Sequence, residues 1–468
     1  MENAKLQNDQ LLRSDNYVIR TVKNRHFLIP VKWRSSDRPC IVVVNDIGLE
    51  IWGLLDQKTK ILDVVRSIGN KYSISEKVVF NDVQEFVVPL ISIGAIKADN
   101  IVCNKGLKGN SVIESEDFLQ RIVEEEFNGE NLPISLTWEL THRCNLNCIH
   151  CYLSQNQKQK VTKELTTEEI EDLIDQASEI GCFQVILTGG DPLIRKDFSK
   201  IVAKIRNKGL FYSLYTNAIA INKEVVDVLK EFPPIAIEVS IYGITAKTYE
   251  TITQINGSYK RLRTGIELLV RDGFNVRLKT VLMRNNLHEL SQIRDFADSM
   301  DLEFRSDAFI TPTIDHLKYP KELRVQPEDI VISENINSGL VRKSRRVNRR
   351  GFYKCGAGKY EANIDPRGRL SLCLLDRSPF ISLRKYPLKD GWDGLREIRK
   401  MSYPEKSKCK HCRLFDFCKI CPGWLKIEGQ PLHGKINFLC SVAKERFKRY
   451  TYKGGGSCDP KPNTESLR

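Results

Sequence analysis

The stretch that decides the fold spans residues 137–152 and reads Thr-Trp-Glu-Leu-Thr-His-Arg-Cys-Asn-Leu-Asn-Cys-Ile-His-Cys-Tyr. It begins in an apolar run at 134–140 that predicts a strand, and it continues as a polar loop. The loop holds three cysteines in the spacing C-x3-C-x2-C, namely Cys144, Cys148 and Cys151. Three thiolates on one short loop can ligate three irons of a [4Fe–4S] cube and leave the fourth iron open. Zinc is the alternative, with His142 or His150 as a fourth ligand.

Short apolar runs and amphipathic helical patterns alternate from this point onward. Six strands are predicted, with helices between them, at 134–140, 183–187, 210–215, 235–241, 276–283 and 304–310. The alternation implies a parallel sheet with right-handed crossovers, either open or curled into a barrel. In such folds the reacting groups lie at the C-terminal ends of the strands, and the cysteine loop follows the first strand.

A second motif, Thr-Gly-Gly-Asp-Pro at 188–192, ends the second predicted strand. Gly189 and Gly190 have no Cβ and let the backbone approach a ligand closely. Asp191 and the free carbonyls beside it can accept hydrogen bonds from an ammonium group. Taken alone, the motif is an ordinary turn. Two later strands also end in polar residues, which either contact the same ligand or cap the strands: Asn217 and Ser240.

Residues 141–152 resemble the signature loop of radical S-adenosylmethionine (SAM) enzymes. The resemblance implies a partial (β/α)6 barrel, with SAM chelated at the open iron of the cluster. It also implies that an electron from the cluster cleaves SAM into methionine and a 5′-deoxyadenosyl radical. By the same resemblance, Tyr152 lies against the adenine, and Asn217 and Ser240 contact the ribose and carboxylate of SAM. The second motif resembles the family's GGEP motif, with Asp191 in place of Glu and a shorter reach.

Seven cysteines in the C-terminal region have the most specific spacing in the chain: Cys355, Cys373, Cys409, Cys412, Cys418, Cys421 and Cys440. They resemble the SPASM domain, an auxiliary-cluster domain of radical SAM enzymes, although two residues instead of three separate Cys418 from Cys421. The resemblance implies two auxiliary [4Fe–4S] clusters, and thus three clusters in all. One would be held by four cysteines, Cys409, Cys412, Cys418 and Cys440, and the other by three, Cys355, Cys373 and Cys421. A zinc ribbon is the alternative.

Four further cysteines lie outside these sets. The three-cysteine cluster is either open or completed from elsewhere, and Cys103 or Cys458 could complete it. Cys40 and Cys182 adjoin apolar strand residues and are predicted to be packed thiols.

The N-terminal segment 16–100 is predicted to be a small α+β unit, with β-rich stretches at 17–30 and 40–44 and amphipathic helices after them. It resembles the winged-helix-like, PqqD-like module that recognises leader peptides in ribosomal peptide maturation. The resemblance implies a precursor peptide as partner, with its leader on this module and its core in the barrel. The leader would add as a strand to an exposed edge, which 40–44 is expected to supply. A scaffold or dimerisation module is the alternative.

The chain is accordingly divided into five predicted segments: the leader-recognition module at 16–100, a linker at 101–132, the barrel at 133–320, the SPASM domain at 350–450 and a flexible tail at 451–468. The net charge is +14, from 73 basic and 59 acidic residues. This surplus favours an acidic leader through electrostatic steering.

The sequence also predicts where the protein acts and which partners it lacks. Its N-terminus has no signal-peptide pattern, and no apolar run reaches the length of a membrane span, so a cytoplasmic location is expected. The basic run at 342–350 has no nucleic-acid-binding motif with it, so nucleic acid is not an expected partner.

The predicted function is that of a radical SAM maturase that forms thioether crosslinks in a ribosomally made peptide, because residues 137–144 most resemble sactipeptide synthases. Carbon–carbon or carbon–oxygen crosslinking and formylglycine-type oxidation are the enzymatic alternatives. An iron–sulfur protein that binds peptides or senses redox state is the alternative without catalysis. The radical SAM reading implies an electron donor such as flavodoxin or ferredoxin. No catalytic acid or base is identified, although Arg305 and Asp307 are candidates for the barrel mouth.

Overall fold

The structure is a computed structural model that describes residues 9–33, 40–99, 112–113, 127, 132–159, 163–336, 352–402 and 404–452. Most of the predicted linker and tail lie outside these residues, as do Cys103, Cys458 and the basic run at 342–350. Among the described residues, no helix combines the length and the apolar character needed to cross a membrane.

In its described residues, the N-terminal unit combines two antiparallel sheets with three helices. Its strands are β1 (Gln10–Arg13), β2 (Tyr17–Val22), β3 (Arg25–Pro30), β4 (Ile41–Val44), β5 (Thr59–Lys60), β6 (Ile96–Ala98) and β7 (Val112–Ile113). Its helices are α1 (Asp46–Leu54), α2 (Ile61–Tyr72) and α3 (Glu76–Ser92). The strand orders are β5-β1-β6 and β2-β3-β4-β7, and each helix buries apolar side chains in one shared core. Because β1 belongs to the first sheet, the unit begins before residue 16.

Strand β4 is paired on both sides, which differs from the expected exposed edge at 40–44. It pairs with β3 on one side, and on the other Ile41 and Val42 pair with Ile113 and Val112 of β7. The prediction was wrong because a short stretch from the predicted linker supplies an additional strand. The edges of this sheet are therefore β2 and β7.

The central unit confirms the predicted array of six parallel strands with helices between them. The strands are β8 (Ser135–Thr141), β9 (Gln184–Gly189), β10 (Phe211–Thr216), β11 (Ala236–Ser240), β12 (Val276–Val281) and β13 (Glu303–Asp307). The helices are α4 (Gln155–Gln159), α5 (Thr167–Glu179), α6 (Phe198–Asn207), α7 (Lys223–Glu231), α8 (Ala246–Thr253), α9 (Ser258–Arg271) and α10 (Leu290–Ser299). The strands run in sequence order from β8 to β13, and their apolar side chains form the largest core.

The C-terminal unit extends the same sheet. Its strands are β14 (Glu361–Ile364), β15 (Arg369–Ser371) and β16 (Ile381–Ser382). Its helices are α11 (Pro327–Ile336), α12 (Leu388–Arg399), α13 (Pro422–Ile427) and α14 (Asn437–Tyr452). Because β14 pairs in parallel with β8, the sheet has nine strands in the order β13-β12-β11-β10-β9-β8-β14-β15-β16. The sequence did not predict these three short strands.

The N-terminal unit packs against the end of the barrel at which the parallel strands begin. Phe27 and Ile29 share a core with Phe183 and Phe211, which lie at the starts of β9 and β10. Arg20 is buried there, and its guanidinium donates to the carbonyl oxygens of residues 178 and 209 at 2.8 and 3.2 Å. The unit therefore lies at the opposite end of the strands from the cysteine loop.

Replacing Arg20 with Met should loosen this interface. Two carbonyl oxygens would lose a charged donor in a site that excludes water, which costs about 2 kcal/mol. Hydrogen exchange of β2 and β3 should therefore become faster. As a control, Arg66→Met removes only exposed ion pairs, at 3.5 and 3.8 Å, and should leave the exchange unchanged. Equal exchange in wild type and Arg20→Met would contradict the role given to Arg20.

Candidate functional site

The cysteine loop follows the C-terminal end of β8 and is held by its own backbone. The amides of Asn147 and Ile149 donate to carbonyl oxygens at the end of α8, both at 3.0 Å. The side chain of Leu146 is buried, and its amide donates to the Cys144 Sγ at 3.4 Å. The loop thus presents its cysteines from a fixed backbone.

The three thiols of this loop are half-buried, and their surroundings favour the protonated form. Burial raises the pKa of Cys144 to about 11, and it also raises the pKa of Cys151. The buried Lys158 ammonium lies nearby and acts in the opposite direction, while it donates to the carbonyl oxygen of Leu146 at 3.0 Å. A bound metal must therefore displace the thiol protons.

The Gly-Gly-Asp-Pro turn lies directly against the cysteine loop. The Gly190 amide donates to the Thr141 carbonyl oxygen at 2.7 Å, and the Asp191 amide donates to the Arg143 carbonyl oxygen at 3.0 Å. A Cβ on Gly190 would lie 1.8 Å from the Arg143 oxygen. Gly189 has a φ of 131°, and a Cβ there would lie 2.2 Å from the Thr141 oxygen. The close approach that these glycines permit is to the backbone of the cysteine loop.

The Asp191 carboxylate is fully buried and joins two strand ends. One oxygen accepts from the Leu193 amide at 3.0 Å. The other accepts from the Thr216 hydroxyl at 2.8 Å and the Asn217 amide at 2.9 Å. Both oxygens are thus used within the chain, and contact between Asp191 and a cofactor ammonium stays a prediction.

Asn217 and Ser240 lie at the same end of the sheet as the cysteine loop. The Asn217 side-chain amide donates to the Asn145 side-chain oxygen at 2.6 Å and lies 3.7 Å from the Cys144 Sγ. Ser240 ends β11 and is hydrogen-bonded to Tyr242, which in turn packs edge-on against His150 at 4.5 Å between ring centroids. Asn217 thus contacts the loop directly, and Ser240 is connected to it through Tyr242.

Glu139 is a buried carboxylate that the sequence analysis did not predict as part of the site. It binds a residue of the cysteine loop and a residue of the C-terminal unit. Its side chain has no exposed surface, and both oxygens accept from the Arg377 guanidinium, at 2.7 and 3.0 Å. The Tyr152 hydroxyl donates to the same carboxylate at 2.9 Å. Burial would raise the pKa of Glu139, but the Arg377 charge and its hydrogen bonds hold that pKa below its usual value. One signal was present in the sequence, since a charged residue inside an apolar run requires a buried partner.

A cavity of about 320 Å³ lies between the barrel and the cysteine-rich unit. Its lining is mostly apolar, with one acidic and one basic side chain: Tyr152, Asp307, Phe309, Thr311, Ile314, Leu374, Leu375, Lys419, Trp424 and Ile427. Asp307, a candidate for the barrel mouth, is thus in the lining. Arg305, the other candidate, binds Glu303 at 2.7 Å.

Among the seven C-terminal cysteines, the pKa shifts of two thiols show which other cysteines lie near them. Burial raises the pKa of Cys409 to about 11, and the neighbouring thiolates that add to the effect are Cys418, Cys440 and Cys412. Burial raises the pKa of Cys421 to about 12, and the neighbouring thiolates there are Cys373 and Cys355. Cys421 therefore lies with its predicted partners despite the unusual spacing. The role of these cysteines as ligands stays a prediction.

The donor set fits iron–sulfur clusters. In the described part of the chain, no three His, Cys, Asp or Glu side chains converge where one metal ion would bind. A zinc site requires such convergence. Each cysteine of a four-iron cluster binds a different iron, so its ligands need not share one point. His142 lies 3.7 Å from Glu139, and the His150 ring packs against the Tyr242 ring.

Comparison with known proteins identifies two domains. The radical SAM superfamily model matches residues 138–297, which include the cysteine loop and the Gly-Gly-Asp-Pro turn. The chain contains a radical SAM domain. The model of coenzyme PQQ synthesis protein D (PqqD) matches residues 36–96, so a PqqD-like domain precedes the radical SAM domain.

Similar proteins of known name include an AdoMet-dependent heme synthase of Methanosarcina barkeri, 27% identical over 63% of this chain and 91% of that protein. The mycofactocin maturase MftC of Mycolicibacterium smegmatis is 28% identical over 67% of this chain and 84% of its own. The crystal structure of Streptococcus suis SuiB bound to the precursor peptide SuiA aligns with a TM-score of 0.55 at 16% identity, over 92% of this chain and 99% of that chain. This likeness shows a shared fold.

Replacing Gly190 with Ala should displace the cysteine loop of the radical SAM domain, because the new methyl carbon would lie 1.8 Å from a backbone oxygen. We expect reconstituted protein to lose the spectroscopic signal of the cluster on that loop. Gly53→Ala is the matched control, since nothing lies within 4 Å of a Cβ there. An intact signal in Gly190→Ala would show that the contact does not fix the loop.

Proposed function

We propose that this protein is a radical SAM maturase that acts on a ribosomally synthesised precursor peptide and forms Cys-sulfur-to-carbon thioether crosslinks in it. The observation that carries the proposal is the presence of a radical SAM domain and a PqqD-like domain in one chain. The name of the MftC relative and the peptide bound to SuiB support a peptide substrate.

Cys144, Cys148 and Cys151 would hold the cluster that binds SAM. When bound, the cluster and SAM supply a 5′-deoxyadenosyl radical that removes a hydrogen atom from the substrate. The chain's own part is to place the reactants and to exclude water. Tyr152 lies both in the cavity lining and on the cysteine loop, so a group held in the cavity would lie beside the cofactor.

The precursor's leader would bind the N-terminal unit. Since β7 covers β4, the sheet offers its edge strand β2 or the outer side of β7 for strand addition. The net charge of +14 supports an acidic leader. Electron transfer to the cluster would come from a donor such as flavodoxin or ferredoxin.

The group of three C-terminal cysteines supports thioether chemistry. The other cysteines of the described residues, outside the three cluster sets, are Cys40 in the N-terminal unit and Cys182 in the barrel core. A cluster held by three cysteines leaves one iron open, and a substrate thiolate is a suitable ligand for it. Leu374 and Leu375 follow Cys373 directly and line the cavity, which supports a position of this group beside the bound peptide.

Tandem mass spectrometry of the precursor tests this function. The protein should be co-expressed without oxygen with a small Cys-containing peptide encoded beside it. Each crosslink should remove two hydrogens from the peptide and block one thiol to alkylation. Cys148→Ala should abolish the modification, and Cys40→Ala, outside both cluster regions, should retain it.

Other results would replace the proposal with a named alternative. The same mass loss with free thiols would indicate carbon–carbon or carbon–oxygen chemistry. No 5′-deoxyadenosine from reduced protein with SAM would indicate a peptide-binding or redox-sensing protein. Turnover on an iron porphyrin instead of a peptide would indicate the chemistry named for the heme synthase relative.

The two groups of C-terminal cysteines predict two separable auxiliary clusters. Cys412→Ala and Cys421→Ala should each lower the iron content by about four atoms per chain, and the double variant by about eight. Mössbauer spectra of the single variants should differ from each other. Loss of the same signal in both single variants would contradict the division into two groups.

A further inference from the structure

Glu139 is the point at which the cysteine loop and the C-terminal unit share one buried group. Its carboxylate lies on β8 and accepts from Tyr152 on one side and from Arg377 on the other. The side chain of Arg377 is 18% exposed, and its guanidinium carbon lies 5.7 Å from the centre of the Tyr152 ring. The three side chains thus form one hydrogen-bonded unit across 238 residues of sequence.

Arg377 belongs to a short segment that also carries Cys373. The Asp376 amide donates to the Cys373 Sγ at 3.3 Å, and the Arg377 Nε donates to the Leu374 carbonyl oxygen at 2.8 Å. The Asp376 carboxylate is buried and accepts from the Tyr353 hydroxyl at 2.8 Å and the Lys426 ammonium at 2.6 Å. This segment, 373–377, is therefore fixed at several points, and Arg377 cannot move without disturbing it.

We propose that Arg377 is a positioning residue that holds Tyr152 in the cofactor site through Glu139 and thereby makes cofactor binding depend on segment 373–377. The inference rests on the proposed function only in taking Tyr152 as part of the SAM site. What the inference adds is a connection between that site and the three-cysteine group. The connection runs from Tyr152 through Glu139 to Arg377, which lies in the same short segment as Cys373.

The geometry of the pair between Arg377 and Glu139 supports a positioning role for Arg377 better than a contribution to stability alone. A bidentate arginine fixes both the position and the plane of a carboxylate, which a single ammonium does not. The plane of Glu139 determines where its Oε1 meets the Tyr152 hydroxyl, and this hydroxyl lies only 3.4 Å from the Gly189 carbonyl oxygen. A rotation of the carboxylate would therefore shift the ring.

Two variants and a matched control test the proposal in the full-length, reconstituted protein. Arg377→Lys keeps the charge that Glu139 needs but loses the bidentate geometry, and Tyr152→Phe removes only the hydroxyl. Arg384→Lys is the control, because Arg384 makes a bidentate pair with Glu169, at 2.7 and 2.8 Å, between the same two units but with partly exposed side chains.

The readouts are the dissociation constant of SAM and the change that SAM causes in the electron paramagnetic resonance spectrum of the reduced cluster. We expect Arg377→Lys and Tyr152→Phe each to raise the dissociation constant about tenfold and to alter the SAM-induced change. Iron content and the melting temperature should stay near wild type. Arg384→Lys should match wild type in all four measurements.

A double-mutant cycle tests the link to the three-cysteine group. Cys373→Ser should weaken SAM binding in wild type, but it should weaken it less in the Arg377→Lys background, because the link is already broken there. Equal effects in both backgrounds would overturn the coupling.

An unchanged dissociation constant in both Arg377→Lys and Tyr152→Phe would overturn the positioning role. If Arg377→Lys does not fold, Tyr152→Phe and the control still decide. Failure of the wild type to bind SAM would instead overturn the proposed function and this inference together.

Discussion

Pairing on both sides of β8 is the constraint on which the rest of the site depends. The strand is bonded in parallel to β9 and to β14, so its register fixes the Gly-Gly-Asp-Pro turn on one side and the C-terminal unit on the other. The cysteine loop leaves the end of this strand, contacts the turn after β9, and is joined through Tyr152 and Glu139 to Arg377 of the C-terminal unit. A parallel strand that is buried on both faces tolerates little displacement. The start of the cysteine loop is therefore placed by the centre of the sheet, and hydrogen bonds to the end of α8 hold the loop further along.

The six barrel strands could be predicted because each is a local apolar run between helices with clear periodicity. Strands β7 and β14 to β16 could not, since they span two to four residues and exist only through partners far away in the chain. In the candidate site, too, local sequence features could be predicted and contacts between distant residues could not. The spacing of Cys144, Cys148 and Cys151 is visible in the sequence, whereas the pair of Glu139 with Arg377 depends on the fold that brings them together.

The two glycines of the second motif have a structural role that the sequence analysis did not predict. Their lack of a Cβ was expected to admit a ligand, but the structure uses it to bring two loops of the chain into contact. Both carboxylate oxygens of Asp191 likewise accept hydrogen bonds from within the chain, from the turn after β9 and from the end of β10. The motif thus joins the end of β9 to the cysteine loop and to the end of β10, and its contact with a cofactor stays a prediction.

The placement of the N-terminal unit at the beginning of the barrel strands sets a length requirement on a peptide substrate. Under the proposed function, a peptide whose leader binds that unit must span the length of a strand before it reaches the cysteine loop. Strand β8 has seven residues, which corresponds to about 23 Å. An extended chain needs roughly seven residues to cover that length. Under the same proposal, the spacer between the bound leader and the first modified residue has a minimum length of about one barrel strand, and residues closer to the leader cannot reach the cysteine loop.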